Sequence, residues 1–296
     1  MWIYIGLIYI LLIMTICSIL PSIINKSILF KLIDPFFTLI LRINFNILFN
    51  TKPKNKTLLI SNHPSYFDIF TIIWWAKRHN RENDLCFIAK EDATKNFLIK
   101  RLFKDNILPL KRNITDDHEN IIKFCNKLNN KDSYILVLFP EGTTYAQCTI
   151  KKSNEFIKKN NLNSYKNVIC PRITGLDIIN KNLDYDVLLD MTIIYNDYST
   201  YYDNQKGIPF SDPKGFIQGH YPKKITLSIK DVSYIKYSTT IEKDVYNIWT
   251  EKDNYIEKYK SNFNGQYNIY KIFYNIFTDI YIWLCFSIII SGFYLL

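Results

Sequence analysis

Short apolar runs alternate with longer segments of mixed polarity through the middle of the chain. The runs have strand-like length and composition and occupy residues 57–60, 85–89, 107–110, 134–139, 168–170, 188–194 and 225–229. Alternation of this kind predicts an α/β domain with a mixed, largely parallel sheet flanked by helices. We place this domain at residues 51–264, with a polar loop or lid at 195–222 and an amphipathic helix carrying Trp249 at 241–259.

Both ends of the chain are apolar over lengths that suit membrane spans. Residues 1–25 and 280–296 contain no charged side chain. Because about 20 apolar residues cross a bilayer, we predict transmembrane helices at 1–25 and 270–296. A cleaved signal peptide is the alternative at the first end, but no basic residue precedes that apolar segment.

Residues 26–50 begin with Lys26, and the apolar stretch 27–49 within them carries three charges, Lys31, Asp34 and Arg42. Charges are costly inside a bilayer, so the pattern favours an amphipathic helix lying along the membrane interface. A second span that forms a hairpin with the first is the alternative. Lysines follow the first apolar segment and precede the last, which by the positive-inside rule predicts a cytoplasmic domain in an integral membrane protein.

The overall charge and the motifs that are missing narrow the function classes. The formal net charge is +10, which suits a phosphate-rich partner such as an anionic membrane, coenzyme A or nucleic acid, although solvated lysines explain it as well. The six cysteines show no C-x-x-C pair and no metal spacing with the histidines, so no metal is expected. We find no P-loop, G-x-G-x-x-G or G-x-S-x-G motif, which disfavours nucleotide hydrolysis and a serine-hydrolase elbow.

The stretch SNHPSYFD at residues 61–68 joins the first apolar run to an apolar helical segment. Pro64 suits the first helical position, which would leave His63 in the turn and Asp68 in the second turn of the helix. The Asp68 carboxylate can then reach one imidazole nitrogen of His63, and the other nitrogen becomes a general base. A capping histidine beside a surface aspartate is the alternative for this pair alone.

Further motifs follow other predicted strands, where α/β sheets place their ligand sites. Arg112 follows residues 107–110, the sequence FPEGT occupies 139–143, and Pro171-Arg172 follows 168–170. With His63 and Asp68, in this order and spacing, they resemble the glycerolipid acyltransferase family, which includes 1-acylglycerol-3-phosphate acyltransferase. The resemblance covers about residues 58–263. The stretches 170–175 and 218–222 and the helix with Trp249 are most similar to the branch that acylates lysocardiolipin and lysophosphatidylinositol.

The resemblance implies transfer of an acyl group from acyl-CoA to a lysophospholipid hydroxyl at an endoplasmic-reticulum-type membrane. His63 would be the base, Asp68 would orient it, and backbone N–H groups beside Pro64 would stabilise the oxyanion. Acyl-CoA would be a co-substrate, and no cofactor is expected. Arg112 would bind the acceptor phosphate. Glu141 would bind a substrate hydroxyl or organise the cations, and Gly142 would permit close backbone approach. The full set of expected substrate-binding residues is Lys90, Arg112, Glu141, Gly142, Thr143 and Arg172.

One departure from the family pattern shifts the expected phosphate contacts. Thr144 stands where many members have a basic residue, so more weight falls on Arg112 and Arg172. Three other functions compete with acyl transfer: an inactive lipid-binding protein, a thioesterase or lipid hydrolase, and a membrane-tethered nucleic-acid binder. The intact motif residues argue against the first, and the lack of an aromatic–basic recognition motif argues against the last.

Overall fold

The computed structural model describes residues 43–65, 67–94, 99, 102–103, 105–111, 113–195, 222 and 224–261. The predicted spanning segments 1–25 and 270–296 lie outside these residues, as do most of the predicted interfacial segment and most of the predicted loop 195–222. Within the described residues, no helix is both long enough and apolar enough to cross a membrane.

One sheet of seven strands forms the centre of the described residues. The strands are β1 Asn44–Asn50, β2 Lys56–Ser61, β3 Leu85–Lys90, β4 Ile107–Leu110, β5 Tyr134–Leu138, β6 Val187–Tyr195 and β7 Lys224–Asp231. Their order across the sheet is β1-β7-β6-β2-β5-β3-β4. The β6–β7 pair is antiparallel, and the other five pairs are parallel. The predicted mixed, largely parallel sheet is therefore confirmed.

Helices connect the strands and cover both faces of the sheet. Within the described residues they are α1 Asp68–Arg78, α2 Glu91–Thr94, α3 Ile114–Asn129, α4 Gln147–Asn160, α5 Ile173–Asn182 and α6 Ile241–Ser261. Short 3-10 helices lie at Glu82–Asp84 and Ser233–Tyr237. The predicted helix at 241–259 is confirmed by α6. The α3 helix begins after Asn113, whose side chain accepts a hydrogen bond from the Thr115 N–H at 3.3 Å, as N-cap asparagines do.

Two apolar layers, one on each face of the sheet, make up the core. Leu59 of β2 packs on one side with Trp75 of α1, while Leu58 packs on the other with Trp249 of α6. Neighbouring residues of a strand point to opposite faces, so strands that are covered by helices on both sides are apolar at consecutive positions. This explains why the central strands appeared in the sequence as unbroken apolar runs.

The interfacial-helix prediction for 26–50 is wrong over its last residues. Residues 44–50 form strand β1, which runs parallel to β7 with Asn44 opposite Lys224 and Asn50 opposite Ile229. Thr51 continues the contact, because its N–H donates to the Ile229 carbonyl at 3.2 Å. The sheet therefore begins before residue 51, where we had placed the start of the domain.

The predicted strand at 168–170 is also absent, although these residues are buried. Backbone N–H groups here form hydrogen bonds with loop residues and a helix side chain instead of with a neighbouring strand. The Cys170 N–H donates to the Ser153 hydroxyl at 3.0 Å, and the Arg172 N–H donates to the Pro140 carbonyl at 2.7 Å. The apolar run reflects burial in this case, not strand pairing.

Candidate active site

The predicted motifs gather at one edge of the sheet. Strands β2, β3, β5 and β6 run parallel, so their carboxyl ends emerge at the same side. His63 lies just after β2, Lys90 ends β3, Glu141 lies just after β5, and Tyr195 ends β6. The strand arrangement thus brings together residues that are far apart in sequence.

His63 and Asp68 form the contact predicted for them. Nδ1 of His63 lies 2.8 Å from Oδ2 of Asp68; the His63 side chain is 13% exposed and the Asp68 side chain is fully buried. The helix does not begin at Pro64, however, because Asp68 is itself the first residue of α1 and Phe67 is its N-cap. The same Oδ2 accepts the Ser65 N–H at 2.9 Å, so the carboxylate folds back over the turn before the helix.

A third donor reaches Asp68 from across the sheet. The Tyr195 hydroxyl donates to Oδ1 of Asp68, and the Tyr195 side chain is buried. Burial raises the pKa of Asp68, while the hydrogen bonds from His63, Tyr195 and Ser65 oppose that rise. Sequence reasoning missed Tyr195, because its nearness to Asp68 follows from β6 lying beside β2, which no local pattern reveals.

The backbone of His63 is held by the FPEGT turn and by Tyr145, which follows that turn. Its N–H donates to Oε2 of Glu141 at 3.2 Å, and its carbonyl accepts the Tyr145 N–H at 3.0 Å. The Phe139 ring stacks on the imidazole, with centroids 4.0 Å apart and an interplanar angle of 16°. These contacts set both the position and the tilt of the ring, which a proton-transfer group requires.

Asn62 is a second residue that sequence reasoning missed. It is buried, and its side chain makes two hydrogen bonds with the backbone of Ile193: Nδ2 donates to the carbonyl at 3.0 Å, and Oδ1 accepts the N–H at 2.8 Å. The side-chain amide of Asn62 thus extends the hydrogen bonding between β2 and β6 beyond the last backbone pair. The available signal was a polar residue directly after an apolar strand.

Glu141 lies in the interior of the protein, with a donor on each carboxylate oxygen. Oε2 accepts the His63 N–H, and Oε1 accepts Nε1–H of Trp249 at 3.3 Å. Burial raises the pKa of Glu141 to about 8, against the lowering effect of these two donors and of Lys252. The expected contact of Glu141 with a substrate stays a prediction.

Gly142 adopts a backbone conformation that favours glycine. Its φ is +67°, and a Cβ at this position would meet no atom within 4 Å. The left-handed backbone conformation of the turn is one that favours glycine. The expected close approach of a substrate at Gly142 stays a prediction. Thr143 follows it and is half-buried.

The predicted cationic ligands have other partners or lie outside the described residues. Lys90, 52% exposed, pairs with Asp92 at the start of α2. Arg172 is exposed, and its guanidinium lies 3.4 Å from the ring centroid of Phe156 on α4. Arg112 lies outside the described residues, so its expected role stays a prediction.

The backbone N–H groups beside Pro64 are not open to an oxyanion in this conformation. The Ser65 N–H donates to Asp68, the Phe67 N–H to the Ser65 hydroxyl at 3.2 Å, and the Asp68 N–H to the Ser65 carbonyl at 3.2 Å. The prediction that these groups act as oxyanion donors is therefore wrong for the three that the structure describes here. They hold the turn together instead.

A buried ion pair anchors α6 to β6 near the same edge. Nζ of Lys252 donates to Oδ1 of Asp190 at 2.6 Å and to the Met191 carbonyl at 2.8 Å. The Lys252 side chain is fully buried, and burial raises the pKa of Asp190 while Lys252 opposes the rise. Helix α6 thus contacts the site through Trp249 and the sheet through Lys252.

Comparison with known proteins agrees with this arrangement. Residues 42–169 match the family described as Acyltransferase. An uncharacterised acyltransferase of Schizosaccharomyces pombe is 25% identical over 76% of the chain and 65% of its own length. The 2-acyl-1-lysophosphatidylinositol acyltransferase of Saccharomyces cerevisiae is 34% identical over 43% of the chain and 33% of its length. Lysocardiolipin acyltransferase 1 of Gallus gallus is 28% identical over 40% of the chain and 29% of its own length.

The chain thus spans from under a third to about two thirds of the length of these relatives. The family match begins just before β1 and extends beyond Glu141 to the buried segment between α4 and α5. It therefore includes the histidine, the aspartate and the FPEGT turn that the structure brings together. The motifs, the match of residues 42–169 and the relatives together support the glycerolipid acyltransferase family.

Proposed function

We propose that the protein transfers a fatty acyl group from acyl-CoA to a free glycerol hydroxyl of a lysophospholipid, in phospholipid synthesis or remodelling. The observation that carries the proposal is the His63–Asp68 pair at the carboxyl edge of the sheet. The names of the yeast and chicken relatives favour lysophosphatidylinositol or lysocardiolipin as acceptors, and the wider family adds lysophosphatidic acid.

The chemistry assigned to the pair follows from which imidazole nitrogen is engaged. Nδ1 of His63 is bonded to Asp68, so Nε2 is the atom that takes the proton from the acceptor hydroxyl. The alkoxide attacks the thioester carbonyl, a C–O bond forms, the C–S bond breaks, and the proton passes from Nε2 to the departing CoA thiolate. Asp68 stabilises the imidazolium between these two proton transfers.

Cations at the edge of the sheet supply the phosphate contacts in this proposal. Lys90 is exposed at the end of β3, and its pair with Asp92 is a surface pair of the kind worth about 0–1 kcal/mol, so substrate phosphate can replace the aspartate. Arg172 is exposed as well, with its guanidinium above Phe156. Arg112 is assigned to the acceptor phosphate by its motif. Glu141, Gly142 and Thr143 complete the proposed set.

The proposal also includes an integral location in an endoplasmic-reticulum-type membrane, with the catalytic domain facing the cytoplasm. It rests on the uncharged segments at 1–25 and 280–296 and on the lysines beside them. Protease treatment of sealed vesicles tests the orientation. Digestion of the domain from outside is expected for vesicles with their cytoplasmic face outward, and full protection would contradict it.

The decisive experiment supplies the full-length protein in membranes with radiolabelled oleoyl-CoA and a panel of lysolipids that differ in headgroup. Labelled diacyl product is expected with at least one anionic lysophospholipid, and none with His63→Ala. Release of labelled fatty acid without lipid product would indicate a thioesterase instead. No turnover of acyl-CoA in either form would favour an inactive lipid-binding protein.

A further inference from the structure

We propose that Tyr195 is a positioning residue of this active site, which holds the Asp68 carboxylate in the orientation and ionised state that His63 requires. The inference deepens the proposed acyl transfer and rests on it. Tyr195 belongs to none of the motifs that define the site, and it lies 127 positions after Asp68 in the chain.

Three donors form hydrogen bonds with the two oxygens of the Asp68 carboxylate. Oδ2 receives Nδ1–H of His63 at 2.8 Å and the Ser65 N–H at 2.9 Å, and Oδ1 receives the Tyr195 hydroxyl. With a donor on each oxygen, rotation of the carboxylate about its χ2 bond would break a contact. The hydroxyl therefore fixes the plane of the carboxylate and, through it, the direction of the bond to His63.

The fold delivers the Tyr195 hydroxyl from a rigid element. Tyr195 is the last residue of β6, where its backbone pairs with Ile225 of β7, and its side chain is 1% exposed. Its ring packs edge-on against Phe67, the N-cap of α1, with centroids 6.4 Å apart. Two residues earlier, Ile193 is bound by Asn62. The same strand end thus holds the residue before His63 and the carboxylate that orients it.

The surroundings of Asp68 explain why the hydrogen bond from the Tyr195 hydroxyl matters for its ionisation. The charges that face Asp68 are the His63 imidazole from the loop after β2 and the Glu141 carboxylate from the turn after β5; the Asp68 charge contributes to the raised pKa of Glu141. Burial disfavours the charged form of Asp68, and the hydrogen bonds donated by His63, Tyr195 and Ser65 favour it. Removing one donor should make the His63–Asp68 pair take up a proton at higher pH.

Tyr195→Phe tests this, with Tyr134→Phe as the matched control. Tyr134 is also buried, at the first residue of β5, which lies two strands from β6, and its hydroxyl donates to the Asp184 carbonyl. For Tyr195→Phe we expect kcat to fall by about 10- to 100-fold, with little change in the KM of either substrate. The acid limb of the pH–rate profile should move to higher pH. The control should leave the profile in place.

A second readout does not depend on catalysis. Diethyl pyrocarbonate modifies neutral imidazole, so peptide mapping across a pH series gives the midpoint at which His63 becomes reactive. Tyr195→Phe should move this midpoint upward, and Tyr134→Phe should not. An unmoved midpoint would overturn the role of Tyr195, whereas a moved midpoint in a protein that acylates no lysolipid would refute the proposed function alone.

An isosteric variant keeps the test valid if the phenylalanine variant does not fold. Replacement of Tyr195 by 3-fluorotyrosine preserves the ring and makes the hydroxyl a stronger donor. The midpoint for His63 should then move downward, opposite to the shift in Tyr195→Phe. Movement in the upward direction, or none at all, would count against the proposal.

Discussion

The indole nitrogen of Trp249 donates to the buried carboxylate of Glu141 at 3.3 Å, and the other oxygen of that carboxylate accepts the His63 N–H. The last described helix therefore reaches the candidate base through one side chain. Because the three residues belong to α6, the FPEGT turn and the loop after β2, the site depends on contacts between distant parts of the chain.

His63→Ala should lower kcat by about 10²- to 10⁴-fold, the usual contribution of a general base, with little effect on acyl-CoA binding. Steady-state kinetics with the accepted lysolipid measures the loss. His118→Ala is the control, since His118 is exposed on α3. Near-normal turnover by His63→Ala would remove His63 from the mechanism.

Asp68→Asn should also cost much of the activity without removing the base itself. The amide cannot stabilise the imidazolium, and its NH₂ group would face donors that now bond to the carboxylate. Single-turnover rates of the variant and the wild type compare the chemical step directly. Equal rates would show that the observed bond has no part in proton transfer.

Glu141 should make the protein less stable as pH rises towards 8. Its pKa is about 8 in the folded protein against an ordinary 4.5, so between these values the folded state binds a proton that the unfolded chain does not. Stability that is fully present below pH 4.5 is therefore lost as pH rises through about 8. Thermal melts across a pH series should show no such loss of stability for Glu141→Gln. Glu119→Gln, at an exposed ion pair on α3, should still show the loss, and parallel curves for all three proteins would contradict the assignment.

Lys252→Met should destabilise the protein by about 3–5 kcal/mol, because it leaves the Asp190 carboxylate buried without its cation. Denaturant unfolding measures the change. Adding Asp190→Leu should recover much of the loss, since two apolar side chains leave no buried charge. Lys181→Met, which breaks an exposed pair with Asp177, should cost no more than about 1 kcal/mol. A double variant as unstable as Lys252→Met would show that the cost lies in packing.

Gly142→Ala and Gly175→Ala should change stability in opposite directions. Neither new Cβ meets an atom within 4 Å, so both substitutions are free of clashes. Alanine at the φ of +67° of Gly142 should cost about 1–2 kcal/mol, whereas alanine inside α5 should contribute about 0.5–1 kcal/mol. Unfolding free energies of the two variants decide the matter. No loss of stability in Gly142→Ala would mean that the turn tolerates another backbone conformation.

The sequence was sufficient where burial and local pattern agree. The central strands lie under helices on both faces, so they appear as continuous apolar runs, and six of the seven predicted strands match β2 to β7. The same reasoning failed at residues 168–170, which are buried without pairing. It also assigned β1 to an interfacial helix, because its apolar residues continue an apolar segment and its partner strand is remote in sequence.

In the candidate site, too, local contacts were predictable from the sequence and contacts between remote residues were not. The His63–Asp68 contact is local, so the spacing predicted it even though α1 begins later than expected. Tyr195, Asn62 and Trp249 act through β6 and α6, and their contacts with the site depend on strand order and helix packing. No short window of sequence contains that information, because each of these contacts joins residues more than 100 positions apart.

The pairing of β1 with β7 also bears on how the chain folds during synthesis. Thr51 bonds to Ile229, 178 positions later, so the first strand of the sheet leaves the ribosome long before its partner exists. Contacts of such sequence separation form slowly because a long loop must close first. Until then the apolar side of β1 stays uncovered on a nascent chain that already holds the residues of the His63–Asp68 pair. Chaperones that bind exposed apolar strands should therefore retain ribosome-bound chains that end before residue 224 and release those that extend beyond residue 261.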